Sequence, residues 1–264
     1  MDTINIYGIL GAVFIGIILG LTGGGGSILT VPVLVYILNI NPITATAYSL
    51  FIVGTTSLVG IIRNAQKQLI NYKTALVFAI PSLISVFLTR KYFVPKLPEI
   101  IFQTTYFSCS KEMFIMIFFA ILMFLASFTM IRETNYNKFE NKKFNNSILA
   151  IEGICIGFAT GLVGAGGGFL IVPALVLFAN LSIREAISTS LLIISIKSLF
   201  GFLGDIKNLT IDWEFLLSFT VISIIGIILG TWITNFINGK NLKKFFGYFV
   251  LIMSIFIIFS ESIF

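Results

Sequence analysis

Gly20-Leu-Thr-Gly-Gly-Gly-Gly-Ser-Ile-Leu-Thr-Val-Pro32 and Gly161-Leu-Val-Gly-Ala-Gly-Gly-Gly-Phe-Leu-Ile-Val-Pro173 are two versions of one phrase, 141 residues apart. Sliding the chain over itself at that offset pairs Gly20–Gly60 with Gly161–Gly201 without a gap, and 18 of the 41 pairs are identical. Apolar composition would align leucines and isoleucines by itself. It would not also align Gly23 with Gly164, Gly25 with Gly166, Gly26 with Gly167, Pro32 with Pro173, Asn39 with Asn180, Ser49 with Ser190 and Ser57 with Ser198. The chain is an internal duplication, an arrangement that builds a site at the interface of two halves in secondary transporters.

Outward from these phrases the sequence is apolar almost throughout. Of 264 residues 57% are hydrophobic and 11% charged, and the mean hydropathy is +1.04; soluble domains carry roughly 25% charge. Apolar runs lie near 4–22, 43–62, 73–93, 112–131, 147–163, 184–204, 214–237 and 243–260. About 20 such residues cross the hydrocarbon layer as a helix, so these runs predict eight transmembrane helices. The runs 27–38 and 168–179, which follow the glycines, are too short to cross and read as half-helices. A polar stretch, 132–146, divides a first repeat (1–131) from a second (147–264). The expected fold is an all-α membrane protein of two homologous four-helix repeats, each with a glycine-broken half-helix. Four spans per repeat make the copies parallel, whereas a crossing added by the half-helix makes them inverted.

Several functional classes fall away. The net charge of +6 is scattered in short Lys/Arg clusters between apolar runs, such as Arg90, Lys91, Lys96 and Lys111. That pattern suits loops facing anionic headgroups and not the single basic face of a nucleic-acid binder. The chain has no histidine, and Cys109 and Cys155 form no metal or redox motif, so neither a metal nor a cofactor is expected. No lysine follows either glycine cluster, which excludes a P-loop, and Phe169 occupies the third glycine position of a dinucleotide fingerprint. The first apolar run lacks a basic leading segment, which argues against a cleaved signal peptide. A membrane-embedded enzyme would need a nucleophile, an acid–base pair or a metal cluster that the sequence does not offer.

The glycine clusters carry the chemistry. Consecutive glycines each destabilise a helix by about 1 kcal/mol relative to alanine, so the helix breaks there. Broken backbone at membrane depth is tolerated only against protein or a water-filled cavity. A new helix then starts near Ser27 or Gly168, with Pro32 and Pro173 expected in its first turn, and its exposed amides form an anion site. The candidate substrate-binding residues are Gly23, Gly24, Gly25, Gly26 and Ser27 in the first copy, and Gly164, Ala165, Gly166, Gly167 and Gly168 in the second. Ser49, Ser190, Asn39 and Asn180 are candidate hydrogen-bonding partners. Lys197, flanked by Ser195 and Ser198, is the one charge placed clearly inside a span; it faces a cavity, or its stem snorkels to the interface. Thr56 stands at the equivalent place in the first copy. Gly16-xxx-Gly20, Gly157-xxx-Gly161 and Gly226-xxx-Gly230 read as helix-packing patterns. Glu112, Glu152 and Asp205 lie near span ends, where solvated headgroup positions are expected.

The paired phrases, together with the Ala-x-x-x-Ser-Leu pattern of Ala45–Leu50 and Ala186–Leu191, resemble the duplicated signature of the sulfite exporter TauE/SafE family. The resemblance spans nearly the whole chain. It implies a multi-pass transporter of sulfite, sulfonates or related organic anions in a prokaryotic inner membrane, with membrane lipid as the surrounding partner. A passive anion channel is the alternative, separable by whether flux saturates and shows counter-transport.

Overall fold

The structure, a computed structural model, describes residues 6–24, 26–66, 68–104, 107–131, 146–233 and 239–263. Gly25 and nearly all of the polar stretch between the repeats lie outside the described residues. Eleven helices follow the apolar runs: α1 (Ile6–Thr22), α2 (Ser27–Pro32, running on as a π-helical turn Val33–Ile37), α3 (Pro42–Gln66), α4 (Tyr72–Leu88, running on as a π-helical turn Thr89–Phe93), the short α5 (Val94–Lys96), α6 (Lys111–Ile131), α7 (Asn146–Val163), α8 (Gly168–Phe178), α9 (Ile183–Asp205), α10 (Trp213–Ile233) and α11 (Gly239–Ile263). Among the described residues, five stretches are long and apolar enough to cross a membrane: Pro42–Ile62, Tyr72–Lys96, Lys111–Phe128, Arg184–Asp205 and Trp213–Ile233. Ile6–Thr22, Ser147–Val163 and Gly247–Glu261 are shorter apolar helices where further full spans were expected.

The chain also departs from the all-helical expectation at one place. Two short antiparallel strands, β1 (Ile100–Thr104) and β2 (Phe107–Ser110), stand between α5 and α6. Pro98 stops the helix before them, and the β-branched and aromatic residues Ile100, Ile101, Phe102 and Phe107 favour extended backbone.

Beyond its apolar core, the structure also has an apolar exterior. Large apolar side chains are exposed along the outer helices, among them Leu217, Val221, Ile225 and Ile228 on α10 and Ile252, Phe256 and Phe259 on α11. Ser49, Thr56, Ser57, Ser190, Ser198, Arg90 and Lys197 are instead fully or almost fully buried. Such an apolar exterior is stable against lipid and not against water.

The repeats interlock. α1 of the first lies along α10 of the second, and α7 of the second lies along α4 of the first. Glycine permits both approaches: a Cβ on Gly16 would lie 2.8 Å from the Gly226 Cα, and one on Gly157 would lie 2.9 Å from the Ser82 Cα. Ser82 and Ser223, which also faces Gly16, are again 141 positions apart, so the repeat extends into α4 and α10.

Helix direction is fixed by who meets whom. Leu50 approaches Gly201, Gly54 approaches Leu199, and Gly60 approaches Leu191, so the equivalent helices α3 and α9 run antiparallel. A twofold relation between equivalent antiparallel helices has its axis across the helices and not along them. The chain also doubles back after each glycine cluster. Gly26 packs on Ile15 and Leu19, and Val33 on Gly11, so α2 returns beside α1; Gly167 packs on Thr160, so α8 leaves the tip of α7 in the same way. Each repeat therefore contributes a helical hairpin, a long arm and a short one, that begins and ends at one face of the bundle.

Candidate functional site

The two hairpin tips meet in the middle of the bundle. Gly24 and Gly168 touch through their Cα atoms, and a Cβ on either would overlap the other's backbone. Ile194 of α9 and Val53 of α3 close the sides, and Ser27 of the first tip lies beside Gly166 of the second. Glycine is needed at the turns because the backbone is left-handed at Gly164 and Gly167, both with φ of 70°, a conformation that side chains disfavour.

The two loops are not equivalent. In the first, the Gly23 amide donates to the Leu19 carbonyl and the Ser27 amide to the Gly24 carbonyl, 3.0 and 3.2 Å. The Ser27 hydroxyl donates to the same Gly24 oxygen, and Ser190 donates to the Gly23 oxygen. The helix that follows runs on through the π turn to Ile37, and among the described residues the amides of Gly24, Gly26 and Ile28 donate to no carbonyl. In the second loop, Gly164 donates to Thr160 and helical bonding resumes with Leu170 and Ile171, both donating to Gly167. Among the described residues, the intervening amides of Ala165, Gly166, Gly167, Gly168 and Phe169 donate to no carbonyl, although all five residues are buried. Buried amides without acceptors are rare, and successive ones on a left-handed turn form an anion-binding concavity. An 11-residue helix, α8, starts from them.

Two buried cations flank this second loop. Lys197, 1% exposed, reaches in from the middle of α9; its ammonium donates to the Thr160 hydroxyl at 2.8 Å, and a Cβ on Gly167 would lie 2.9 Å from its nitrogen. Snorkelling is therefore not its conformation. Arg90, 0% exposed, sits in the π turn of α4 with its Nη2 against Gly164. Its Nη1 donates to the Thr46 hydroxyl at 3.0 Å and lies 3.3 Å from the Asp205 carboxylate, while its Nε and Nη2 have no partner among the described residues. Both Arg90 and Asp205 correct the sequence-based expectation, which put Arg90 in a surface cluster and Asp205 at a headgroup position. The π turn causes this: Arg90 is turned inward, whereas Lys91 beside it is exposed with its ammonium 5.2 Å from the Phe87 and Tyr92 ring centres. The repeat itself held a signal for Arg90, because the residue 141 positions on, Thr231, lies inside the apolar stretch of α10.

Asn39 and Asn180 take no part in this centre. Both are exposed and left-handed, with φ of 52°, at the far ends of the short arms. Ile40 donates to Leu34 and Leu181 to Leu175, so each asparagine closes a helix C-terminus. Pro32 and Pro173 are each the sixth residue of their helix, one turn later than expected. After Pro32 the missing amide opens the ladder into the π turn. The Ser49 hydroxyl is buried with no partner among the described residues.

Comparison with known proteins agrees with a membrane transporter. The family model described as "Sulfite exporter TauE/SafE" matches residues 8–257. A "Probable membrane transporter protein" of Xylella fastidiosa (strain 9a5c) is 29% identical over 92% of this chain and 91% of that protein. Another of that description from Methanocaldococcus jannaschii is 24% identical over 96% and 92%, and one from Haemophilus influenzae is 25% identical over 91% and 92%. No solved structure matches the chain.

Proposed function

Because the chain belongs to the sulfite exporter TauE/SafE family of membrane transporters, we propose that it is a secondary transporter of a small oxyanion or organic anion, such as sulfite or a sulfonate, held at the second glycine loop. One observation carries the reading: among the described residues, five consecutive buried amides without acceptors lie between two buried cations, with the Asp205 carboxylate paired to one of them. Unpartnered buried donors are costly, and an anion satisfies them all at once. The first loop completes the enclosure through Gly24 and Ser27 and supplies no charge; Thr56 and Thr231 stand where the second loop has Lys197 and Arg90. The contact of Gly24 with Gly168 supports a carrier with a closed centre over an open pore.

Substitution of Lys197 separates a substrate site from a structural one. Lys197→Met removes a buried charge whose bonded partner is one hydroxyl, so the fold should be as stable as the wild type or more so. Anion binding should fall by at least about tenfold, the equivalent of one charge-assisted bond. Thermal shift with sulfite, sulfate and methanesulfonate on purified protein measures both. An unchanged ligand-induced shift in Lys197→Met would overturn the site.

The hairpins also suggest an orientation. With both ends of each hairpin at one face, α3, α4 and α6 cross in the first repeat and α9, α10 and α11 in the second, and the repeats are inverted. Among the described residues, the face where α3 ends then collects Arg63, Lys73, Arg184, Lys240, Lys243 and Lys244, while the opposite face has Lys91, Lys96, Lys111 and Lys207. By the positive-inside rule the richer face is cytoplasmic and both termini lie outside, in a prokaryotic inner membrane. A C-terminal alkaline phosphatase fusion should be active and a C-terminal green fluorescent protein fusion dark; the reverse pattern contradicts this topology.

A further inference from the structure

The geometry points to Asp205 as the binding site of a co-transported proton, taken up when an anion draws Arg90 away from it. This inference rests on the anion site proposed above. Asp205 is 4% exposed, and its Oδ2 lies 3.3 Å from the Arg90 Nη1 without a hydrogen bond. The Arg90 edge that does lack a partner, Nε and Nη2, is the one turned to Gly164 and the anion loop. Arg90 thus stands between two claims on one charge: the carboxylate on one side and the loop on the other.

The surroundings offer Asp205 no substitute cation. Among the described residues Arg90 is its one ion-pair partner. From α4 the other nearby charge is Lys91, which is exposed over aromatic rings. From α3 the partner of Arg90 is the Thr46 hydroxyl, and Tyr48 is engaged elsewhere, accepting the Asp212 amide at 2.7 Å. α8 carries no ionisable residue. Asp212, before α10, accepts the Phe215 amide. On α9 itself Lys197 is two turns away, bonded to Thr160, and Lys207 beyond the helix is exposed.

An arriving anion compensates the guanidinium through its bare edge and loosens its hold on Asp205. A buried carboxylate deprived of its cation is strongly disfavoured as an anion, and it becomes neutral by accepting a proton from water at the face where α4 ends. No other bond is made or broken. The first repeat lacks the device, with Asn64 at the position equivalent to Asp205 and Thr231 at that of Arg90, so each anion carries one proton.

Titration calorimetry of the purified full chain with sulfate, methanesulfonate and sulfite, in Tris and in triethanolamine buffer, tests the inference, because neither buffer is a sulfonate. The difference between buffers gives the protons taken up on binding. Comparing the wild type with Asp205→Asn cancels any proton the anion itself exchanges. The expected result is about one more proton per anion in the wild type than in Asp205→Asn. Anion binding with equal proton uptake in both proteins overturns the inference and leaves the anion site standing, the proton then belonging to Lys197. Failure of all three anions to bind the wild type overturns both. Should Asp205→Asn fail to fold, Lys197→Met carries the test, because it removes the other titratable group of the centre: its sulfate affinity, weaker than the wild type's, should still fall by up to about tenfold per pH unit on the alkaline side, and an affinity flat between about pH 6 and 9 refutes the proton site.

Discussion

Gly168→Ala is expected to abolish anion flux in liposomes and to lower the melting temperature of the purified protein. The added Cβ would overlap the Cα of Gly24, and the Ile194 Cδ1 would be 2.6 Å away. Ile194 can move its terminal methyl. Gly24 has no side chain to move, and its own φ of 142° leaves its backbone without an alternative place. The two tips must therefore separate, and overpacking of this kind destabilises by about 1–3 kcal/mol. Separation also spreads the amides of Ala165 to Phe169, so binding is lost together with stability. Gly166→Ala supplies the contrast, since its nearest neighbours are the side chains of Val53, Ile194 and Ser27 and the residue is not left-handed. It should fold closer to wild-type stability. Equal stability of Gly168→Ala and the wild type would mean that the tips do not meet.

The second large effect is expected at the buried ion pair. Arg90→Met leaves the Asp205 carboxylate buried without its cation, a change that typically costs about 3–5 kcal/mol while the carboxylate stays charged, and the yield of folded protein should collapse at alkaline pH and recover as the pH falls and the carboxyl takes up a proton. Adding Asp205→Asn to Arg90→Met removes the orphaned charge and should restore most of the yield, because replacing both members of a buried pair is close to neutral. Flux should not return, as the guanidinium edge facing Gly164 is gone. Size-exclusion profiles in detergent read the first effect and liposome flux the second. An Arg90→Met protein that stays well folded at alkaline pH would show that the pair is solvated after all.

Together the two experiments separate roles that the centre combines. Gly24 and Gly168 set the distance between the hairpins, and the Arg90–Asp205 pair holds the end of α4 to the end of α9 beside the loop. A loop that must release its ligand has to be satisfied in two ways, with the anion and without it. In the structure Arg90 is partnered by Thr46 and Asp205, and Lys197 by Thr160. Hydroxyls suit that task, since they accept a bond from a cation at little cost when it is withdrawn.

Much of this was legible in the residues. Runs of glycine followed at fixed distance by proline are improbable inside a helix, so the breaks, the short arms and the duplication all stood in the sequence; Lys197 stood out as a charge inside a span, but the choice between a buried and a snorkelling side chain did not. Asn39 and Asn180 misled, because a polar residue ending an apolar run serves equally as a ligand or as a left-handed cap. Arg90 was hidden among Lys91, Tyr92 and Lys96, where linear neighbours say surface.

What the sequence determined by itself was local and periodic: apolar runs of membrane length, two helix breaks, one repeat. Only the tertiary structure decided that the equivalent helices α3 and α9 run antiparallel, that both buried cations stand beside the second loop, and that Arg90 and Asp205 pair inside. The physical reason is the same in each case. Helix direction, the side chains beside a loop and the burial of a charge depend on what another part of the chain brings alongside, and no window of neighbouring residues contains that information.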